Sequence, residues 1–244
     1  MLLKACLNGA RTPGEHPALP VTPDELAADA VRVRRAGAHA LHLHVKDAEG
    51  RDTLDGARLA EVLAAVRGAA PELPVGVTTG AWAQPDPDSR AGAVRGWTAL
   101  PDFASVNWHE PGAEDVAQLL LERGVDVEAG LWHADAVRAW LGSPSRSRCC
   151  RVLVELPDGL DEPGTAAQAD RLLGLLAAGG NRLPVLLHGE GTSCWPALRH
   201  AAARGLATRA GLEDVLVLPD GTRAHGNAAL VAAARGLLAA RPSP

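Results

Sequence analysis

The sequence predicts a single α/β domain, a (β/α)8 TIM barrel over residues 1–244. Three observations predict it. Short apolar runs alternate with longer alanine-rich amphipathic runs, eight of each can be counted, and no Pro- or Ser-rich linker divides the chain. Alternating strands and helices mean a parallel sheet covered by helices, and eight repeats favour closure into a ring. The length of 244 residues suits one such barrel. An open doubly wound sheet is the alternative, but no G-x-G-x-x-G follows the first strand.

The first strand is expected over 2–8 (LLKACLN). A helix over 23–37 follows, opened by Thr22-Pro23-Asp24-Glu25: an N-cap hydroxyl, Pro at the first helical position and Glu completing a capping box. Gly37 closes it. Strand two reads ALHLHVK over 40–46 and helix two runs 56–69. Strand three is PVGVTT, 74–79; the loop at 84–90 (QPDPDSR) leads into helix three, 88–98. The remaining strands are 102–107, 125–130, 150–156, 184–189 and 206–213, and the remaining helices 112–123, 133–141, 165–179, 194–205 and 226–240. The tail 241–244 is expected to fray.

Composition narrows the function. Hydrophobic residues make up 47% and charged residues 22%, ordinary for a soluble globular chain. Net charge is −5 with both signs interspersed, and the six Trp lie apart from Lys/Arg clusters, which argues against nucleic acid. Cys6, Cys149, Cys150 and Cys194 form no CxxC pair, so a reduced, cytoplasmic protein is expected. The start MLLKACLNGARTPG lacks the apolar stretch of a signal peptide, and no run of about 18 apolar residues predicts a membrane span.

Barrel enzymes carry reactive groups at the C-terminal ends of strands, and that rule ranks the polar residues. His42 and His44 end strand two at i, i+2, hence on one face. Two neutral imidazoles there can grip a cation such as zinc, at about 2.0–2.1 Å; two hydrogen-bonded core histidines are the plainer reading. Strand eight ends RAGLED, and strict alternation puts Arg209, Gly211 and Glu213 on one face. Glu213 could add a carboxylate to the two histidines and leave open metal positions, as catalysis requires; a structural Arg209–Glu213 salt bridge is the competing account. Glu128 ends strand five as an inward acid or a surface charge. Thr79, Ser105, Asn107 and Asn8 offer hydroxyl and amide groups for a carboxylate or oxyanion. His188, Glu190, His109, Glu110 and His133 lie at other strand ends without an assigned role, and His16, His39, His200 and His225 read as structural or solvent-facing. No G-x-S-x-G elbow or phosphate-binding loop occurs.

The stretch HPALPVTPDELAADAVRVRRAGAHALHLHVKDAEGR, followed in order by VTTG, ASVN, VDVEAG, TRAGLED and HGNAALV, resembles the β-keto acid cleavage enzyme family, of the 3-keto-5-aminohexanoate cleavage type. The resemblance spans nearly the whole chain. It implies a zinc-containing (β/α)8-barrel, with His42, His44 and Glu213 as ligands of one Zn2+, an Arg209–Asp214 catalytic pair, Glu128 as substrate contact, and Thr79 or a close neighbour as the hydroxyl contact. The implied reaction condenses a β-keto acid with acetyl-CoA to give acetoacetate and an acyl-CoA, with Asp214, oriented by Arg209, as the base. It also implies a homo-oligomer. The chain departs from the family pattern at Lys46, where Arg is usual, and at Trp108-His109-Glu110, Trp132 and His188-Gly189-Glu190. The alternatives are CoA-independent aldolase or hydrolase chemistry on a keto acid, or a non-catalytic ligand-binding barrel.

Overall fold

The computed structural model describes residues 1–240; the fraying expected at 241–244 lies outside the described residues. Eight parallel strands run β1 (Leu3–Cys6), β2 (Ala40–Leu43), β3 (Val75–Thr78), β4 (Phe103–Asn107), β5 (Asp126–Leu131), β6 (Arg151–Leu156), β7 (Val185–Gly189) and β8 (Thr208–Ala210). Between and after them lie α1 (Pro23–Ala36), α2 (Gly56–Ala69), α3 (Pro87–Arg95), α4 (Ala113–Glu122), α5 (Ala134–Leu141), α6 (Glu162–Ala178), α7 (Cys194–Arg204) and α8 (Asn227–Ala239). The sheet order is β7-β6-β5-β4-β3-β2-β1-β8, and β8 returns to β7. The Leu187 amide donates to Ala207 O at 2.9 Å and Thr208 Oγ1 to Leu187 O at 2.8 Å, closing the ring. This is the (β/α)8 barrel that the alternation predicts.

Helix starts follow local chemistry. Thr22 and Glu25 form the capping box expected at α1, with Pro23 in the first turn and Gly37 left-handed at the end. Asp55, Asp86 and Asp161 each cap a helix by accepting from a backbone N–H three residues on. On the strands Leu41 and Leu43 are buried in the apolar layer under the helices, while His42 between them turns to the barrel interior.

Strand boundaries differ from expectation at two places that matter. Strand two was expected through residue 46, but β2 stops at Leu43. Beyond it Lys46 and Asp52 form an isolated antiparallel bridge, and residues 47–51 make a tight turn. Strand eight was expected through residue 213, but β8 stops at Ala210. The chain then turns over Gly211, whose oxygen accepts from Asp214 N at 2.9 Å and Val215 N at 3.0 Å. A side chain there would fall 1.9 Å from Cys6 O, so only glycine lets the turn close on β1. Strand alternation therefore does not carry Glu213 to the interior; this turn does. Among the described residues no helix is long and apolar enough to cross a membrane.

Candidate active site

The C-terminal mouth of the ring holds a pocket of about 310 Å³, lined by groups from all eight strands or the loops that follow them, among them His42, His44, Ser105, Glu155, Arg209 and Glu213. Its size is at the small end for ligand sites. His42 comes from β2 and His44 from just past its end, and both are buried. Their rings meet edge-on, with centroids 5.4 Å apart. Nε2 of His42 lies 3.8 Å and Nε2 of His44 4.0 Å from the same oxygen, Oε2 of Glu213. That oxygen is buried and accepts no hydrogen bond. Three ligand atoms of these residues lie within 4.8 Å of one another.

An orphaned carboxylate oxygen facing two imidazole nitrogens is costly unless something positive sits among them. The donor set, two His and one carboxylate, suits a divalent cation with open positions. Burial pushes the His42 imidazole well below its ordinary pKa, and the charges of Lys4, the neighbouring His44 and Arg209 add to the shift. His42 is therefore neutral, the form that ligates. The residues fit a metal.

Glu213 also faces the other way. Its Oε1 lies 3.0 Å from the Arg209 guanidinium. Arg209 donates through Nε to Asp214 Oδ1 at 3.1 Å, with a terminal nitrogen 2.9 Å from the same oxygen. Burial opposes the charge on Arg209, but Asp214, Cys6, Glu213 and Glu155 hold it protonated well above its ordinary value. Burial raises the Asp214 carboxyl against the pull of Arg209 and His188. Asp214 is fully buried behind Arg209 and is not part of the pocket wall; its Oδ2 has no hydrogen-bond partner.

The other predicted residues fall into two groups. Ser105 and Asn107 line the pocket. Asn107 donates to Glu110 Oε1 at 2.9 Å and accepts from Trp132 Nε1 at 3.2 Å. Thr78 lines it too, whereas Thr79 turns its hydroxyl to Ser105 O at 2.8 Å. Asn8 and Glu128 are buried and do not line it. Asn8 donates to the carbonyls of Pro20 and His44 and accepts from the His44 amide at 2.8 Å, so it fixes backbone. Glu128 meets Lys4 Nζ at 2.5 Å, with Arg151 Nε 3.2 Å from its other oxygen.

Sequence reasoning assigned no role to three mouth residues. Glu155, on β6, lines the pocket, with its carboxyl raised by burial against Arg209 and Lys4. His188 Nε2 lies 3.1 Å from Glu155 Oε2 but is misaligned, so both its ring nitrogens lack hydrogen-bond partners. A Cβ on Gly130 would fall 2.5 Å from Glu155 Oε1 and 2.4 Å from Asn107 Oδ1, so that glycine makes room for both. The strand-end rule already applied to Glu128 would have found Glu155. Glu190 also lines the pocket; burial and the charge of Asp214 push its carboxyl up to about 7. Trp82, 48% exposed, forms one wall.

A family model described as beta-keto acid cleavage enzyme matches residues 1–242. The chain is 35% identical over 81 residues to a 3-keto-5-aminohexanoate cleavage enzyme of Fusobacterium nucleatum subsp. nucleatum, a match covering 33% of this chain and 30% of that protein. The chain thus spans less than a third of the curated relative it matches. Among solved structures, ObcA in ternary complex with a C4-CoA adduct and oxalate superposes with a TM-score of 0.72 at 18% identity, over 91% of this chain and 64% of that one. ObcA with oxaloacetate gives 0.71 at 16% identity, over 90% and 63%. A type I 3-dehydroquinate dehydratase from Clostridium difficile gives 0.68 at 10% identity, over 98% and 90%. At these identities the likeness is one of fold.

Proposed function

Because the chain belongs to the β-keto acid cleavage enzyme family, we propose that it is a metal-dependent, zinc-using enzyme that condenses a β-keto acid with acetyl-CoA to give acetoacetate and an acyl-CoA. The observation that carries this reading is the convergence of His42, His44 and Glu213 Oε2 on one point, with Arg209 on the other oxygen of the same carboxylate. A divalent cation held by those three residues would act as Lewis acid on the keto and carboxylate oxygens and acidify the carbon between them. ObcA, a neighbour in fold, is seen with oxaloacetate and with a C4-CoA adduct, in accord with a keto acid and a CoA thioester as partners. The reading places the enzyme in the cytoplasm as a homo-oligomer.

The chain's own residues supply positioning and proton transfer. Ser105, Thr78 and Asn107 form the polar wall against which the keto acid is oriented. Arg209 is the buried cation facing the oxyanions that develop. Asp214, held by Arg209 at Oδ1 and unpartnered at Oδ2, is the base that the family resemblance implies; it lies behind Arg209, so it takes the C2 proton on Oδ2 only once the Arg209 side chain shifts aside for the bound keto acid. C2 then bonds to the acetyl carbonyl carbon as its C–S bond breaks. The CoA thiolate bonds to C3, and the C2–C3 bond breaks with its electron pair left on C2. Asp214 returns the proton there, releasing acetoacetate. Glu155, which lines the pocket and whose carboxyl is raised by burial against the pull of Arg209 and Lys4, is the second candidate for this proton.

A panel of β-keto acids incubated with and without acetyl-CoA tests the reading. Acetoacetate released only with acetyl-CoA is expected. Turnover without it would make the protein an aldolase or hydrolase, and tight binding without turnover a binding barrel. Deuterium exchange at C2 identifies the base: Asp214→Asn abolishes it if Asp214 acts, and Glu155→Gln does so if Glu155 acts.

A further inference from the structure

We propose that Asp52 is the positioning carboxylate of the metal centre, holding His44 in the tautomer that turns Nε2 toward Glu213 and pinning Trp82 over the outer face of the same ring. The inference rests on the proposed metal site.

Asp52 Oδ2 lies 2.8 Å from Nδ1 of His44 and accepts from Trp82 Nε1 at 2.6 Å. Its Oδ1 accepts from Lys46 Nζ at 2.5 Å. Lys46 also donates to Gly9 O at 2.6 Å and Arg11 O at 3.0 Å, which ties the carboxylate to the loop after β1. The Asp52 side chain is only 6% exposed. A carboxylate fully occupied by three donors leaves His44 one arrangement, Nδ1–H toward Asp52 and the Nε2 lone pair toward Glu213 Oε2. Metal-bound histidines take such a partner on the far nitrogen, which fixes the ring and raises its basicity. His42 has none: its Nδ1 is buried and unpartnered. One of the two imidazoles is thus oriented before a cation arrives.

The same carboxylate organises the wall of the pocket. The Trp82 ring stacks on His44 at 5.8 Å between centroids and 18° between planes. A Cβ at residue 80 would fall 2.3 Å from that indole, so Gly80 allows Trp82 to fold back over the mouth. Asp52 is itself delivered by Asp47, which caps the turn by accepting from the amides of Glu49 at 3.0 Å and Arg51 at 2.9 Å. Asp47 therefore shapes the turn that brings Asp52 back beside Lys46.

Co2+ titration of the chelator-treated protein, followed by visible d–d absorption and by quenching of Trp fluorescence, tests the proposal without turnover. Asp52→Asn should weaken Co2+ binding about 10–100-fold. Trp82→Phe, which keeps an aromatic ring beside His44, should leave the affinity within about threefold and remove most of the quenching. Circular dichroism checks that both variants are folded. A 15N–1H imidazole spectrum of the wild-type protein, assigned with His44→Gln, supplies a readout that needs no folded Asp52 variant: His44 should carry its proton on Nδ1. A His44 proton on Nε2, or unchanged Co2+ affinity in folded Asp52→Asn, overturns the inference and leaves the metal reading standing. Failure of the wild-type protein to bind Co2+ or Zn2+ overturns the metal reading, and the inference with it.

Discussion

Lys4 and Glu128 meet across the closed interior of the barrel from strands on opposite sides of the ring, Nζ to Oε2 at 2.5 Å, and Nζ also sits 5.4 Å from the centre of the Phe103 ring. The second oxygen of Glu128 makes no aligned hydrogen bond either, but it has the Arg151 guanidinium 3.2 Å away, so each of its oxygens faces a permanent cation. At the mouth, by contrast, Oε2 of Glu213 faces two imidazoles at 3.8 and 4.0 Å and no hydrogen bond reaches it. Both clusters place charge inside a barrel, where an isolated ion is expensive. The interior pair offsets that cost within the protein. The mouth cluster leaves it for a ligand to offset. Buried charge alone therefore does not mark a reactive site; an incomplete set of partners facing a pocket does.

The comparison can be broken most sharply at the mouth. Glu213→Ala or His42→Ala should abolish metal content and lower turnover by more than about 10³-fold while the fold persists, checked by elemental analysis, steady-state kinetics and circular dichroism. Retained metal in either variant would remove the ligand assignment.

The interior pair predicts the reverse. Glu128→Ala leaves Lys4 charged and buried, and should cost about 3–5 kcal/mol of stability in urea unfolding. Combining Lys4→Met with Glu128→Leu should recover most of that loss. Glu128→Gln sharpens the point: a folded variant with unchanged kcat/KM makes the residue structural, whereas a loss beyond about tenfold supports the substrate contact that the family resemblance implies.

A smaller effect tests the backbone under the site. Asn8 makes three hydrogen bonds that hold the His44 peptide and Pro20. Asn8→Ala should cost about 2–3 kcal/mol and weaken metal binding with it, measured by unfolding and titration.

The smallest expected effect is a pH slope. Glu190 is raised to about 7 by burial, by Asp214, Glu155 and Glu213, against the pull of Arg209. The folded state then holds a proton that the unfolded chain releases near its ordinary value. This contribution to stability is fully present below about pH 4.5 and is lost as pH rises toward 7, about 2 kcal/mol after allowing for partial exposure. In metal-free protein Glu190→Gln should flatten that slope; an unchanged slope would assign it to other groups.

The fold was largely legible because its signals are local. The Thr22/Glu25 capping box formed as its spacing predicts, and the eight apolar runs each fell on a strand. His42 and His44 were legible for the same reason, since they are two residues apart. Glu213 was found by an alternation that the structure does not use: the chain turns at Gly211 instead of continuing as strand. Asn8 and Thr79 have the polar chemistry of ligand contacts, yet spend it on the His44 and Ser105 backbones. Nothing in a strand-end residue's type says whether its hydrogen bonds are already taken.

The order of strands and helices, the caps and the pair of histidines follow from the sequence alone, because propensity, periodicity and capping act over a few residues. The facing of Glu213 toward both imidazoles, the placement of Glu155 and Arg209 around the same pocket, and the return of Asp52 to His44 were decided by the tertiary structure. These groups come from β2, β6, β8 and the loops beyond, and only ring closure and two tight turns bring them within a few ångströms. Such long-range geometry leaves no periodic trace in the chain, because it depends on where the backbone of one strand ends against another.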